Sequence, residues 1–373
     1  MDDITTQLIR LANEIGGNTE FSRAGGGNAS VKIDGILHIK PSGVPLATLR
    51  AEELVPLRIG MLLDALHSNE EIEGDPVRVA AEKAQVGDGG GRRPSVEILF
   101  HALIPEPLVL HLHPLTANAV TCNENGPELA ARILGDDAVW VDYIDPGIPL
   151  ARGVEAAREA FTARTGKPAP GITLLGNHGI IVSGTTYDEV AERVHSLTAR
   201  IRAAIETTPE PEAPSSPGIA PVRAFELAES FRTALGAVAT ASSAEGFALA
   251  ASGPEAAPVT RGPLIPDQIV YAGSLPIVLS GEEDEERVAG LVAAYEAEHE
   301  HKPIIAVVPS ALVIAAGDSA SSAENALATY CDALHVARDA DRLGHVRVMD
   351  DRERHFIENW EAEAYRRSMA KEG

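Results

Sequence analysis

The sequence predicts an α/β fold in two domains, on three observations. Segments with helical and with strand patterning alternate along the chain, several of them separated by tight turns. The chain has 373 residues, too many for one ordinary hydrophobic core. One stretch, "TTPEPEAPSSPGIAPV" from Thr207, is rich in proline, serine and glutamate and has no apolar period, so it reads as a linker. The expected division is a first domain over residues 1–206, a linker over 207–221 and a smaller C-terminal α/β domain over 222–373.

Each element has a local reason. "MDDITTQLIRLANEIGG" is acidic at its start and amphipathic, which predicts a helix and not a signal peptide. "SVKIDGILHIKPSG" predicts two short strands around the Asp34-Gly35 turn. "PSVEILFHALI" predicts a helix starting at Pro94 and Ser95, and "PLVLHLHP" a strand. "ELAARILGD" predicts a short helix. "GITLLGNHGIIVSG" is a strand broken by Gly176 and Gly179, and "TYDEVAERVHSLTARIRAAIET" an amphipathic helix. In the second half, helices are expected at "VRAFELAESFRTALGAVAT", "EEDEERVAGLVAAYEAEHEH", "SSAENALATYCDALHVARDADRLG" and "DRERHFIENWEAEAYRRSM", with a hairpin at "KPIIAVVPSALVIAAG".

Composition removes several function classes. Lys+Arg 31 against Asp+Glu 55 gives a formal net charge of -24, which suits neither a nucleic-acid coat nor an anionic membrane, because phosphate contacts need lysine and arginine. No apolar run reaches the roughly 18 residues of a membrane span. Two cysteines, Cys122 and Cys331, imply no disulfide framework, and a cytoplasmic location is the expectation.

The chemistry-bearing residues cluster in the first half. On a strand, positions i and i+2 share a face, so His111 and His113 point the same way and can hold one ion. Imidazole suits Zn²⁺ and other first-row divalent metals. His178, between glycines in "GNHGII", is a third candidate ligand. The pair alone reads more readily as two buried or surface histidines, since short motifs match often by chance. A second pair, His299 and His301, lies at a helix end, where i and i+2 diverge by roughly 200°, and reads as solvated. Glu97 is either a ligand and general base or an ordinary first-turn acid. "SRAGGGNASVK", Ser22–Lys32, and "KPSG", Lys40–Gly43, offer glycine N–H groups, Asn28, Ser30, Ser42 and a nearby lysine to an anion, or are plain tight turns. Arg92 and Arg93 close on an anion or solvate a loop. His335, His355 and Asp267 form no motif and are expected in packing and surface roles.

In order along the chain, "GGGNASVK", "IKPSGV", "PSVEILFHALIPEPLVLHLHP" and "LLGNHGIIVSG" resemble the class II aldolase/adducin family over about residues 5–205. The short interval from Glu97 to His111, and "LIPDQIVY", "YCDALHVARDADRLG" and "HFIENWEAEA" in the second half, look similar to the aldolase part of fused rhamnulose-1-phosphate aldolase/alcohol dehydrogenase proteins. The dehydrogenase domain and its nucleotide-binding motif are not seen, so oxidoreductase activity is not expected.

The resemblance implies an α/β/α layered domain with a mostly antiparallel central sheet. It implies that His111, His113 and His178 hold Zn²⁺, or another divalent metal such as Mn²⁺ or Co²⁺, and that Glu97 is the catalytic base and can also touch the metal. It places a phosphate on Gly27, Asn28, Ser42, Gly43 and Ser95, with Val96 standing where one branch has a second serine. The implied reaction is (retro-)aldol cleavage of a ketose phosphate to dihydroxyacetone phosphate and an aldehyde, through a metal-stabilised enediolate. Sugar-phosphate 4-epimerisation, dehydration or decarboxylation at the same site are alternatives, as is a non-catalytic adducin-like interaction module. The presence of all three histidines and the glutamate argues against the module. The implied partners are a sugar phosphate and further copies of the chain, in a homo-oligomer that in this family is usually a tetramer. A family tyrosine acts on the leaving hydroxyl, and Tyr143 is available for that role without a placement.

Overall fold

The computed structural model describes residues 3–70, 72–87, 91–209, 218–244, 258–309 and 311–361. Linker residues 210–217, residues 88–90 of the glycine-rich loop and the end of the last expected helix, from residue 362, lie outside the described residues. The chain divides into two compact units, one of Met1–Thr121 with Asn125–Thr207, the other of Cys122–Glu124 with Thr208–Gly373. The division does not follow one cut in the chain.

The first unit opens with helix α1 (Ile4–Gly16), strands β1 (Asn28–Ile33), β2 (Ile36–Ile39) and β3 (Val55–Arg58), and helices α2 (Ile59–His67), α3 (Pro76–Ala84) and α4 (Ile98–Leu103). Strand β4 (Leu108–Leu112), helices α5 (Leu115–Thr121) and α6 (Gly126–Leu134), β5 (Val139–Val141) and α7 (Ile148–Thr165) follow. It closes with β6 (Ile172–Leu175), β7 (Gly179–Gly184) and α8 (Tyr187–Glu206). The sheet order is β3-β2-β1-β4-β7-β6-β5. Among the described residues every neighbouring pair is antiparallel except β5 with β6. Helices α2, α3, α4 and α7 pack together on one face, while α1, α5 and α8 contact β1, β4 and β7. Two helical layers therefore enclose a mostly antiparallel sheet, which is the α/β/α architecture.

Alternation along the strands decides which side chains meet which layer. Asn28 pairs with His111 and Ser30 with Val109 across β1 and β4, so these four share a face. Val109 lies in the cluster that also holds Ile39, Ile98, Leu99 and Phe100. The face that carries His111 is thus the face covered by α4. The opposite positions Ala29, Val31, Leu110 and Leu112 are fully buried and apolar.

Helix α4 starts later than its sequence predicts. Pro94 bridges to Pro41, Ser42 N donates to Arg93 O at 2.9 Å and Ser95 N to Lys40 O at 3.3 Å. This extended segment borrows its hydrogen bonds from residues 40–42, so the helix begins only at Ile98 and Glu97 occupies the N-cap, with φ -102 and ψ 16.

The second unit contains α9 (Pro221–Leu235), β8 (Ala239–Ser243), α10 (Pro266–Ala272), β9 (Ile277–Val278), α11 (Glu285–His299), β10 (Ile305–Val308), β11 (Leu312–Gly317), α12 (Ala320–Leu343) and α13 (Asp351–Asn359). Its sheet runs β8-β11-β10-β9, and β10 with β11 is the expected hairpin. "AVAT", expected as the end of a helix, is not helical: Ala237 and Val238 are loop and Ala239 and Thr240 begin β8. Gly236 ends α9 in the left-handed conformation, and residues from Ala239 on gain ladder partners in β11. No helix among the described residues is long and apolar enough to cross a membrane.

Candidate metal centre

His111 is the fourth residue of β4 and His113 follows the strand directly. Their Nε2 atoms face each other at 2.9 Å. The Nδ1 of His111 lies 2.9 Å from Ile180 O, a bond that makes Nδ1 the protonated nitrogen and turns Nε2 inward as an acceptor. His178 arrives from the turn between β6 and β7. Asn177, at φ 47 and fully buried, adopts the left-handed conformation there and its N–H is held by Thr121 O at 2.8 Å. That reversal delivers His178 beside β4.

Glu97 closes the group from the head of α4. Its Oε1 lies 3.3 Å from His111 Nε2 and 3.2 Å from His178 Nε2. Its Oε2 accepts a hydrogen bond from Asn28 Nδ2. Burial works to raise the Glu97 carboxyl, but His111, His178 and His113 outweigh it and hold the group well below the usual carboxylate range. Burial likewise pushes His111 down to about 3, against the pull of Glu97. The ring is therefore neutral at ordinary pH, as a metal ligand must be.

These residues fit a divalent ion. Among the described residues, His111, His113 and His178 are the one group of three metal-ligating side chains whose donor atoms all lie within 4.8 Å of one another. Zinc–nitrogen bonds of about 2.0–2.1 Å in a tetrahedral site put neighbouring donors about 3.3 Å apart, close to the spacings seen here. His178 Nδ1 is buried without a hydrogen-bond partner among the described residues. His335, His355 and Asp267 form no such group among the described residues.

The turns expected to hold an anion lie alongside. A Cβ on Gly27, whose φ is +71, would fall 2.8 Å from His111 O and 2.9 Å from Leu46 Cδ1. Only glycine lets this turn lie against β4. The buried Lys40 ties it to the second turn, its Nζ donating to Gly25 O at 3.2 Å, Pro41 O at 3.3 Å and Val44 O at 2.7 Å. Ser95 Oγ accepts from Glu97 N at 3.2 Å, which leaves its own hydroxyl proton to donate. Gly27 thus lies against β4 at His111, Ser95 lies against Glu97, and Ser42 and Gly43 sit in the turn that Lys40 ties to Gly25. Asn28, also expected at the phosphate, donates one Nδ2 proton to Glu97. Arg92 donates to Glu52 O at 3.4 Å, and with Arg78, Arg93 and Ser95 it lines a cleft of about 330 Å³. Tyr143 N would lie 3.0 Å from a Cβ on Gly176, which sets that tyrosine's backbone beside the His178 turn.

Residues 6–205 match the family described as Class II Aldolase and Adducin N-terminal domain. The chain belongs to the class II aldolase and adducin family. Among relatives, it is 23% identical over 411 residues to the uncharacterized oxidoreductase YuxG of Bacillus subtilis (strain 168), covering 98% of this chain and 58% of YuxG. The chain therefore spans little more than half of that relative's length. It is 26% identical over 211 residues to the 3-oxo-tetronate 4-phosphate decarboxylase of Haemophilus influenzae, covering 52% of this chain and 82% of that protein. A solved N-terminal class II aldolase domain of a conserved protein from Thermoplasma acidophilum is 25% identical, with a TM-score of 0.48, covering 55% of this chain and 95% of that one.

Two features escape the sequence pattern. His301, partly exposed beyond the end of α11, also sits 3.7 Å from Glu358 and lies in one aromatic cluster with Tyr295 and His299. His101, four residues after Glu97, is fully buried and contacts Ser30. Only its i+4 spacing from Glu97 hints at it.

Proposed function

We propose that the chain is a metal-dependent carbon–carbon lyase. It would cleave a ketose phosphate between C3 and C4 to dihydroxyacetone phosphate and an aldehyde. The observation that carries this reading is an ionised, buried Glu97 within hydrogen-bond reach of the converging imidazoles of His111 and His178. A divalent ion held by His111, His113 and His178, whether zinc, manganese or cobalt, supplies Lewis-acid polarisation of the ketose carbonyl.

This chain's own groups do the rest. As C3–C4 breaks, its electron pair moves toward C2 and the carbonyl oxygen, and the C4 hydroxyl passes its proton to the Glu97 carboxylate as it becomes the aldehyde. C3 must then gain a proton. Glu97, oriented by Asn28, shuttles it. The phosphate rests on the Gly27–Asn28 and Ser42–Gly43 turns with Ser95 beside it, which fixes C3 relative to the carboxylate. Burial of Glu97, His111 and His178 limits competing protonation by water.

A second reading has specific support from the decarboxylase relative. Decarboxylation of an oxo-acid phosphate also leaves electrons on a carbon next to a carbonyl, and it also needs a proton there. One experiment separates the two. Metal content is measured, then the loaded protein is offered a panel of ketose 1-phosphates and 3-oxo-tetronate 4-phosphate. Release of dihydroxyacetone phosphate supports the aldolase, and CO₂ release alone transfers the site to decarboxylation. No divalent metal in a well-folded sample removes both.

A further inference from the structure

Behind Glu97, α4 is joined to β1 by two polar rungs. The first is the hydrogen bond from Asn28 to Glu97. The second lies two residues along the strand and four along the helix, where Ser30 Oγ and His101 Nδ1 are 2.7 Å apart. Positions i and i+2 of a strand share a face, as do i and i+4 of a helix, so the rungs stack. Both Ser30 and His101 are fully buried.

The second rung sits in an apolar setting. His101 stacks on Phe100 with ring centroids 5.0 Å apart, and Phe100 meets His111 edge-on at 5.4 Å. Ile39, Ile98, Leu99 and Val109 are buried in the surrounding cluster. The Nε2 of His101 has no hydrogen-bond partner among the described residues. A polar pair with one orphan nitrogen stabilises such a core less than two apolar side chains of similar shape. What it adds is direction. Helix α4 has only 6 residues, too few for apolar contacts alone to fix its rotation well, and that rotation aims the carboxylate at its N-cap.

We propose that the Ser30–His101 hydrogen bond positions Glu97, holding the head of α4 in the rotation that points the carboxylate at the three imidazoles. His101 acts through Glu97 and touches no substrate. The inference rests on the reading of Glu97 as the proton-transfer group.

The test uses the full chain loaded with metal. Solvent deuterium exchange into the carbon next to the carbonyl of dihydroxyacetone phosphate is followed by NMR, alongside metal content and thermal midpoint. The paired Ser30→Ala and His101→Leu substitution should lower the exchange rate roughly ten- to a hundredfold, the scale of a small misplacement of a reacting group. Bound metal should stay at the wild-type level and the midpoint should hold or rise, an outcome that loss of structure cannot produce. His101→Asn, which keeps a polar atom near the Nδ1 position, should recover most of the rate. Wild-type exchange in the paired variant overturns the proposal, as does equal loss in His101→Asn. If the paired variant does not fold, Ser30→Ala alone breaks the rung at the loss of one hydroxyl and is judged by the same rates. No exchange in the wild-type protein removes the proton-transfer role of Glu97, and this inference with it.

Discussion

Gly179 shows how a residue without a side chain can hold a metal site together. A Cβ there would fall 2.3 Å from Leu112 O and 2.7 Å from His113 Cδ2, distances no packed structure tolerates. Gly179→Ala must therefore push the start of β7 away from β4, and His178, the preceding residue, moves with it. We expect metal affinity to fall at least tenfold, equivalent to about 1.4 kcal/mol, measured by competition with a chelator. Affinity equal to wild type would show that His178 is not a ligand. Glu97→Gln probes the other side of the site. The amide keeps the shape and a hydrogen-bond link to Asn28 but cannot carry the proton, so metal should bind while turnover drops by about 10²–10⁴-fold. Near-normal turnover would make Glu97 structural.

At the scale of elements, β1 carries a buried cation with a measurable cost. Lys32, near its end, donates to Glu106 O at 2.9 Å. Burial pushes Lys32 down to about 7 from the ordinary lysine value of 10.5, with Glu106 opposing and Arg158 reinforcing the fall. Between those two values the unfolded chain binds more protons than the folded one, so stability rises with pH across that window. Below about 7 the penalty is present in full. Lys32→Met removes it, so the variant's stability gain over wild type should be largest near pH 6 and fade toward pH 10, followed by urea unfolding. A difference that does not vary with pH would refute the assignment. The same strands show what local pattern can and cannot convey. The β1–β2 and β10–β11 hairpins, α8 and α12 follow from periodicity and turn residues, because their partners lie close in sequence. The start of α4 and the strand that begins at Ala239 depend on distant partners, residues 40–42 and β11, to which local propensity is blind. The site divides similarly. Period-two alternation alone puts His111 and His113 on one face. The approach of His178 needs the adjacency of β4 and β7; in the sequence its flanking glycines made it a candidate, and the resemblance to the family implied it as a ligand. The Ser30–His101 rung needs both the sheet register and the placement of α4.

For the whole molecule, the segment Cys122–Glu124 decides how the chain can be divided. It leaves the first unit after α5 and belongs to the second. There, Arg347 N donates to Cys122 O at 2.9 Å and Glu124 N to His345 O at 2.8 Å. Asn123 Nδ2 donates to Ala340 O at 2.8 Å, and Cys122 is fully buried. A fragment ending at Thr207 strips every one of these partners. The four candidate metal-site residues remain, since all lie within the first unit, but the segment beside Thr121 loses its anchors. Thr121 O holds the N–H of Asn177, the residue that reverses the chain before His178, so slack there reaches the site. We therefore expect the fragment to fold and bind metal, with a lower thermal midpoint and weaker affinity than the full chain. Cys122 gives an independent readout. It should react readily with a thiol reagent in the fragment, and slowly in a full-length Cys331→Ser variant, where it is the one remaining thiol. Equal reactivity in the two would mean that the second unit does not bury Cys122–Glu124, and a single boundary at the linker would then describe the chain.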